Sequence, residues 1–218
     1  MIFSENTLNV LKSFSSINSG ILFRSGNVVR SISPQKTVLA TAKVDNSFEK
    51  EFAIYDLSRF LSAISLFDKP EVNLHSDHLT ISSGKTKLKY VYADPATIMS
   101  APTADLPFPN SEVSFTLTSS DLASVLRGGA VLQMPEIVVT GDGTDIILSA
   151  TNTKNPTVDD FNIAVGSTDK IFKAVFRCEN LKLIPQDYTV SISSKRISKF
   201  EGKDLTYFIA LEKESSFS

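Results

Sequence analysis

The chain has 218 residues, of which 42% are hydrophobic and 21% are charged, a balance typical of a globular protein with a sizeable buried core. No apolar run approaches the roughly 18 residues of a membrane-spanning helix, so no membrane partner is expected, and the start of the chain carries no secretory signal pattern. One cysteine, Cys178, excludes an internal disulfide and favours a reducing compartment, while a net charge of −2 makes the distribution of charges more informative than their sum.

The segment 1–54 predicts one helix followed by strands. The helix is expected over 4–17, because Val10, Leu11 and Phe14 recur at helical spacing on one face. Turn residues then separate short runs of alternating apolar residues at hairpin spacing. These runs predict strands at 20–24, 28–33, 38–44 and 48–54.

A second helix is predicted to begin at Asp56, whose carboxylate suits the N-cap position. Leu57, Phe60, Leu61 and Ile64 then fall at i, i+3, i+4 and i+7, which places them on one apolar face. The opposite face is small and polar apart from one cation, and it carries Ser58, Arg59, Ser62 and Ser65.

The segment 94–110 is predicted to connect two domains. It follows strands expected at 71–75, 79–83 and 85–92, and it holds four of the nine prolines of the chain with no periodicity. Because proline fixes φ and lacks an N–H donor, this segment is expected to be extended and outside any central sheet. Leu106 and Phe108 are apolar residues within it, so it is expected to lie on a surface.

The second half is predicted to repeat the plan of the first. Ser119-Ser120-Asp121 signals a helix start, and Gly128-Gly129 is expected to end that helix. A later segment resembles the Asp56 helix, with Asn180 at the cap, and predicts a short helix that reaches Ile184. Two pairs of similar helices in the same order indicate an internal duplication. Strands are predicted at 112–118, 137–140, 146–150, 161–165, 171–177, 188–193, 197–200 and 205–211.

These elements predict an α+β protein built from two similar domains, each with two short helices backed by antiparallel sheets. The predicted limits are 1–93 for the N-terminal domain, 94–110 for the connector and 111–218 for the C-terminal domain.

No group of residues makes a positive case for catalysis, a metal or a cofactor. His75, Asp77 and His78 lie close in sequence, but a hairpin turn explains them more simply than a zinc ion, which needs three or four protein ligands. Asp142 belongs to a turn signal without calcium-loop spacing, and Cys178 has no histidine nearby. The patterns of phosphate-binding loops and nucleophile elbows do not occur. We therefore expect no catalytic residue, no metal ion and no cofactor.

The basic residues near the four predicted helices form the remaining pattern. Each one alone is typical of a solvated surface, but equivalent helices that each carry a cation on the polar face favour a surface facing DNA. The predicted DNA-facing residues are Lys12, Arg59, Arg127, Lys173, Arg177 and Lys182.

With these features the sequence resembles the sliding clamps, the DNA polymerase processivity factors of T-even-type bacteriophages. No single motif carries the resemblance, but a colinear set of segments covers nearly the whole chain. The segments are 11–21, Ala53-Ile54-Tyr55-Asp56-Leu57, Ala93-Asp94-Pro95, Pro107-Phe108-Pro109, Leu126-Arg127 and Lys199-Phe200-Glu201-Gly202. One departure is Gly128-Gly129-Ala130, where the family tends to carry more basic charge.

The resemblance implies a closed ring of three subunits, a homotrimer whose helices line a channel for duplex DNA. DNA would be contacted without sequence preference, and the ring would perform no chemistry. The implied partners are the replicative DNA polymerase, an ATP-driven clamp loader and late-transcription factors, in the cytoplasm of an infected bacterial host.

In such clamps a partner peptide docks in an apolar groove beneath the connector. The residues expected to form it here are Ile32, Val38, Ala40, Leu106, Phe108, Phe208 and Ala210. Ordinary core packing is the competing interpretation for Val38 and Phe208. Two other functions stay open at this point: a small α+β enzyme whose site no motif reveals, and a monomeric adaptor protein with a duplicated fold.

Overall fold

The computed structural model describes residues 1–155 and 157–218, and the chain divides into two compact units, Met1–Asp105 and Leu106–Ser218. The division falls inside the predicted connector, so 94–105 belongs to the first unit and 106–110 to the second. The fold is α+β with antiparallel strand pairing in both units, as predicted. In the described residues, no helix combines the length and the apolar character that a membrane crossing requires.

The first unit contains two α-helices, α1 (Glu5–Phe14) and α2 (Leu57–Ser65), and a short 3-10 turn at Pro95–Thr97. Strand β1 pairs with β4, β2 pairs with β3, and the last three strands form a sheet in the order β5-β6-β7. Its strands are β1 Ile21–Phe23, β2 Gly26–Ile32, β3 Val38–Phe48, β4 Phe52–Ile54, β5 Glu71–Leu74, β6 His78–Ser83 and β7 Thr86–Val91.

Two differences from the predicted bounds in this unit have local causes. Helix α1 ends at Phe14, because Ser15 to Ile17 form turns instead of a further helical turn. Strand β3 continues past the predicted end at 44, since the polar Asn46 is paired with the chain start. The side-chain amide of Asn46 accepts a hydrogen bond from Ser4 N at 2.9 Å and donates one to Ile2 O at 2.7 Å.

Helix α2 begins as predicted, with the side chain of Asp56 accepting a hydrogen bond from Arg59 N at 2.8 Å. Its buried residues are Leu57, Phe60, Ala63 and Ile64, so the apolar face is the predicted one apart from Leu61, which is half-buried.

Replacing Asp56 with alanine is expected to lower the free energy of unfolding by about 1 kcal/mol, because the first turn of α2 loses the acceptor for an otherwise unpaired N–H. Urea denaturation monitored by circular dichroism measures this change. D56N is the matched control, since asparagine caps helices about as well as aspartate. An equal loss of unfolding free energy in D56A and D56N would mean that the negative charge of Asp56, and not its capping hydrogen bond, stabilises the helix.

Among its described residues, the second unit contains one α-helix, α3 (Ser119–Leu132), and two groups of antiparallel strands. One group has the order β11-β10-β9-β12-β16, and in the other β8, β13, β14 and β15 pair in the order β15-β14-β13-β8. Its strands are β8 Val113–Leu117, β9 Glu136–Asp142, β10 Asp145–Thr151, β11 Phe161–Ser167, β12 Ile171–Arg177, β13 Tyr188–Ser193, β14 Ile197–Gly202, β15 Leu205–Ala210 and β16 Ser216–Phe217.

The prediction that α3 stops at Gly128-Gly129 is wrong, because both glycines serve packing. A Cβ on Gly128 would lie 2.6 Å from the ring of Phe161, so only glycine lets that ring rest on the helix. Gly129 is buried, and a Cβ on it would lie 3.3 Å from the Cβ of Ala150. The helix ends instead at Gln133, which adopts the left-handed conformation with φ of 56°.

The second helix predicted for this unit is also wrong. In its place the chain makes one 3-10 turn, Cys178–Leu181, preceded by Arg177 without a side-chain cap. Asn180 therefore lies inside the turn and does not cap a helix. Pro185 disfavours helical geometry at the residue before it, which leaves little room for a longer helix.

Candidate functional site

Helices α1 and α2 of the first unit border a cleft of about 880 Å³. Lys12 lines this cleft from α1 and is exposed, with no ion pair to any described residue. Hydroxyl side chains of α2 and of the residue just after α1 line it as well: Ser15, Ser58, Ser62 and Ser65. Polar residues of the two helices thus line one cleft, together with a second cation, Lys69, and two carboxylates, Glu5 and Asp68.

Most serines near this cleft donate their hydroxyl proton back to their own helix. Ser62 Oγ donates to Ser58 O at 2.9 Å, and Ser65 Oγ donates to Ser62 O at 2.8 Å. At the end of α1, Ser15 Oγ donates to Lys12 O at 2.7 Å. The oxygen lone pairs of these hydroxyls remain available to solvent, whereas their protons do not.

Arg59, also on α2, lies on another side of the helix from the cleft. It borders a depression of about 330 Å³ together with Lys89 and Tyr90, and it is exposed. Burial raises the pKa of Tyr90, and the Arg59 charge opposes that shift. The structure therefore does not bring Lys12 and Arg59 to one point.

In the second unit Arg127 lies on the exposed face of α3, which is otherwise short of charge. Its neighbours on that face are Ala123 and Val131, the latter 76% exposed. Lys182 is exposed directly after the 3-10 turn. Arg127 thus lies on a helix face, whereas Lys182 follows the 3-10 turn and lies on no helix.

Lys173 and Arg177 lie on the other side of their sheet. Ile137 of β9 approaches α3 at Gly129 and is paired with Phe176, so the face of β12 that holds Phe176 is turned toward the helix. Lys173 and Arg177 alternate with Phe176 along β12 and lie on the opposite face. Their assignment to the DNA-facing surface receives no support from this position.

Arg177 is also engaged with two carboxylates. Its Nε lies 3.1 Å from Glu212 Oε1, and its Nη1 lies 3.5 Å from Glu179 Oε1. Glu212 is the main reason that the pKa of this guanidinium is raised. The charge is thus already matched within the second unit.

The part of the connector that belongs to the first unit is held there by three polar side chains. Asn18 Nδ2 donates to Met99 O at 3.2 Å, and Arg24 Nη2 donates to Ala101 O at 3.0 Å. Arg30, whose side chain is 14% exposed, contacts Asp105 Oδ1 at 2.6 Å. Sequence reasoning missed all three anchors, because each joins residues more than seventy positions apart.

The predicted groove residues are distributed over both units. In the first unit Val38 and Ala40 are buried and Ile32 is half-buried, which favours a core position for the first two. In the second unit Leu106 is 38% exposed.

Phe108 and Phe208 face each other in the second unit. Their ring centroids are 6.1 Å apart, and both side chains are half-buried. Ala210 lies two residues beyond Phe208 on the same face of β15. Ser193 Oγ donates to Asn110 O at 2.9 Å and fixes the chain just after Phe108.

The weaker candidate sites have structural explanations. His75 Nε2 is hydrogen-bonded to Thr80 Oγ1 and His78 Nδ1 to Asp77 Oδ1, within the β5–β6 hairpin. Backbone N–H donors in a tight turn lower the pKa of Asp142. Burial raises the pKa of the Cys178 thiol, which disfavours the reactive thiolate. In the part of the chain that the structure describes, no cluster of three His, Cys, Asp or Glu suits a metal ion.

Two family models match the chain in consecutive segments. The model described as DNA polymerase processivity factor matches residues 4–100. The model described as gp45 sliding clamp, C terminal, matches residues 114–213.

Three relatives named sliding clamp match along almost the full length. The protein of Vibrio phage KVP40 is 36% identical over 220 residues, covering 97% of this chain and 99% of the relative. The proteins of Escherichia phage RB69 and Enterobacteria phage T4 are 30% and 29% identical over 226 residues, and each alignment covers 99% of both chains.

Solved structures show the same fold at lower identity. A PCNA from A. fulgidus, solved with the C-terminal region of FEN-1, superposes with a TM-score of 0.73 at 14% identity, covering 99% of this chain and 98% of the other. The Proliferating Cellular Nuclear Antigen from Entamoeba histolytica gives a TM-score of 0.69 at 17% identity, covering 95% of each chain.

Proposed function

This chain belongs to the bacteriophage sliding-clamp family of DNA polymerase processivity factors, and on that premise we propose that it encircles duplex DNA and tethers the replicative DNA polymerase during processive synthesis. The observation that carries the proposal is the match of both family models in order along one chain. The protein acts as a scaffold and catalyses no reaction. The enzyme and adaptor alternatives are not favoured, because the relatives that align over their full length are all named sliding clamp.

Contact with DNA is assigned to the exposed cations of α1, α2 and α3, namely Lys12, Arg59 and Arg127, and to the exposed Lys182 after the 3-10 turn. Cations that approach phosphates bind DNA without reading its sequence, and their affinity falls as salt rises. A ring does not need tight contacts, because topology keeps it on the duplex.

A homotrimer is proposed as the assembly that closes the ring. Strand β7 ends the β5-β6-β7 sheet of the first unit, and β11 ends the five-stranded sheet of the second, when the described residues are considered. Such edges present unpaired N–H and C=O groups that favour pairing with another chain. Two different edges on one subunit suit a head-to-tail interface that closes by rotation.

Three further partners are proposed from the family. The polymerase is expected to dock through a short apolar peptide in the connector groove, with Phe108 and Phe208 as its aromatic wall. The A. fulgidus PCNA, solved with the C-terminal region of FEN-1, is a precedent on this fold for binding a segment of a partner. An ATP-driven clamp loader and late-transcription factors complete the set, in the cytoplasm of the infected bacterial host.

The proposal predicts that protein loaded on a nicked DNA circle by the loader and ATP stays bound through gel filtration and dissociates after the circle is linearised, because only topology retains it. Labelled protein co-eluting with DNA measures retention. Equal loss from circles and linear DNA would contradict encirclement.

The triple variant K12A/R127A/K182A serves as the matched arm of this experiment. It is expected to load more slowly and with a shallower salt dependence, since fewer phosphate counterions are released, yet to stay on circles once loaded. Exposed cations contribute little to folding, so the assembly should be intact. Loading that matches the parent protein at every salt concentration would place the DNA-facing surface elsewhere.

A further inference from the structure

The segment Lys199-Phe200-Glu201-Gly202 helps to define the family resemblance, but the functions assigned so far make no use of it. Lys199 lies in the centre of β14 and is directly paired with Phe208 of β15. Side chains that are paired across antiparallel strands lie on one face with Cβ atoms about 5 Å apart. Lys199 is therefore a neighbour of the aromatic wall proposed for the partner peptide.

The side chains around Lys199 form a small surface that we name the Lys199 patch: Phe108, Ile197, Lys199, Phe208 and Ala210. Ile197 lies two residues before Lys199 on the same face of β14 and is paired with Ala210 of β15. The ring of Phe108 lies beside that of Phe208. All five are half-buried, whereas the residues that alternate with them along β14 and β15, such as Phe200 and Ile209, are buried. The patch is thus an apolar surface with one cation inside it.

The counter-ion of Lys199 is its neighbour two positions along the strand. Lys199 Nζ lies 2.7 Å from Glu201 Oε2, and the two side chains are 26% and 54% exposed. Exposed ion pairs contribute little to stability, so exchanging this carboxylate for another one costs little. A lysine held in place by a replaceable carboxylate is suited to accept an acidic group from a ligand.

We propose that Lys199 is a specificity-determining residue of the peptide groove, where it accepts an acidic side chain of the docking peptide in place of Glu201. This inference rests on the proposed function, because it assumes that the Phe108–Phe208 wall receives a partner peptide. In an extended peptide, residues i and i+2 point to the same side. An apolar residue on Phe208 followed two positions later by Asp or Glu therefore fits the patch.

Lys199 contributes selectivity more than affinity. A peptide with a neutral residue at the acidic position leaves Lys199 paired with Glu201, and a peptide with a basic residue there places two cations together. An apolar peptide lacking the acid still binds, but more weakly.

The test uses a synthetic peptide of the C-terminal tail of the polymerase from the same phage, and versions in which each Asp or Glu is changed in turn to its amide. Calorimetry measures the Kd of each peptide for the full-length protein and for K199M, which keeps an apolar stem of similar length. One amide substitution is expected to weaken binding to the parent by about fivefold and to have no effect on K199M. The difference between the parent and K199M in their response to this substitution should shrink as ionic strength rises from about 0.1 M to about 1 M.

Two variants of the Lys199–Glu201 pair and one of the aromatic wall make the result decisive. K199E should bind the peptide that carries lysine at the coupled position better than the original peptide, a charge-swap rescue that a structural role would not produce. E201Q should tighten binding of the original peptide, because the competing carboxylate is gone. If each amide substitution weakens peptide binding equally for the parent protein and for K199M, or if the tail contains no acidic residue, Lys199 has no such role. If F108D leaves the Kd of the original peptide unchanged, the groove itself lies elsewhere and the proposed docking fails instead.

Discussion

Replacing Phe108 with aspartate is expected to abolish stimulation of the polymerase while leaving assembly and loading unchanged. The Phe108 ring lies over Phe208, and a carboxylate there would place a charge in the apolar wall of the groove. Truncating a central aromatic anchor costs about 2 kcal/mol or more, and each 1.4 kcal/mol is about a tenfold change in Kd. Peptide affinity should therefore fall by at least about thirtyfold. Primer extension on a circular template with loader and polymerase measures the loss.

The matched control for this variant is I171D. Ile171 is an apolar residue of the second unit that is 59% exposed and does not belong to the groove. It should tolerate the same change with nearly normal stimulation. Equal loss in both variants would indicate a general effect of added negative charge, and normal stimulation by F108D would remove Phe108 from the docking site.

Replacing Lys89 with proline is expected to convert the proposed homotrimer into monomers. Tyr92 N donates to Asp77 O within the sheet, and N–H groups alternate in direction along a strand, so the N–H of Lys89 points away from β6. Proline removes this outward donor and spares the inward ladder. Light scattering should report a mass near 23.8 kDa in place of three times that value.

K89A and L88P separate the effect on pairing from other effects. K89A removes the same charge but keeps the N–H, so it should remain trimeric. Leu88 points its N–H toward β6 by the same alternation, so L88P should destabilise the first unit itself. A trimeric K89P with an unchanged melting temperature would exclude β7 as the pairing edge.

The local parts of the fold were predictable, because the information lies in neighbouring residues. The spacing of Leu57, Phe60 and Ile64 with Asp56 before them predicted α2 and its cap. The predictions of a helix end at Gly128 and of a helix cap at Asn180 are wrong for a common reason. Helix propensity argued for a stop at the first and a start at the second, but Phe161 packs on Gly128 and Pro185 follows Asn180 closely.

The candidate site was only partly predictable, because the two faces of a sheet look alike in sequence. Lys173 and Arg177 precede a helix-like segment, so the sequence places them with Arg127, yet which face of β12 meets α3 depends on contacts distant in the sequence. The anchoring of Asp105 by Arg30 is hidden for the same reason. Lys199 belongs to a segment that the sequence shares with the family, but its position beside Phe208 follows only from the strand register.

The serine hydroxyls of α2 bear on how fast the proposed ring moves along DNA. Phosphate oxygens only accept hydrogen bonds, and a hydroxyl that has donated its one proton to Ser58 O or Ser62 O also has only acceptors to offer. On the proposed DNA-facing surface these two groups cannot bond directly, so a film of water must supply the protons between them. Each step along the duplex then exchanges water molecules and not protein–DNA bonds. On this surface of the proposed ring, only the few cations would bond the DNA phosphates directly and slow movement along the duplex.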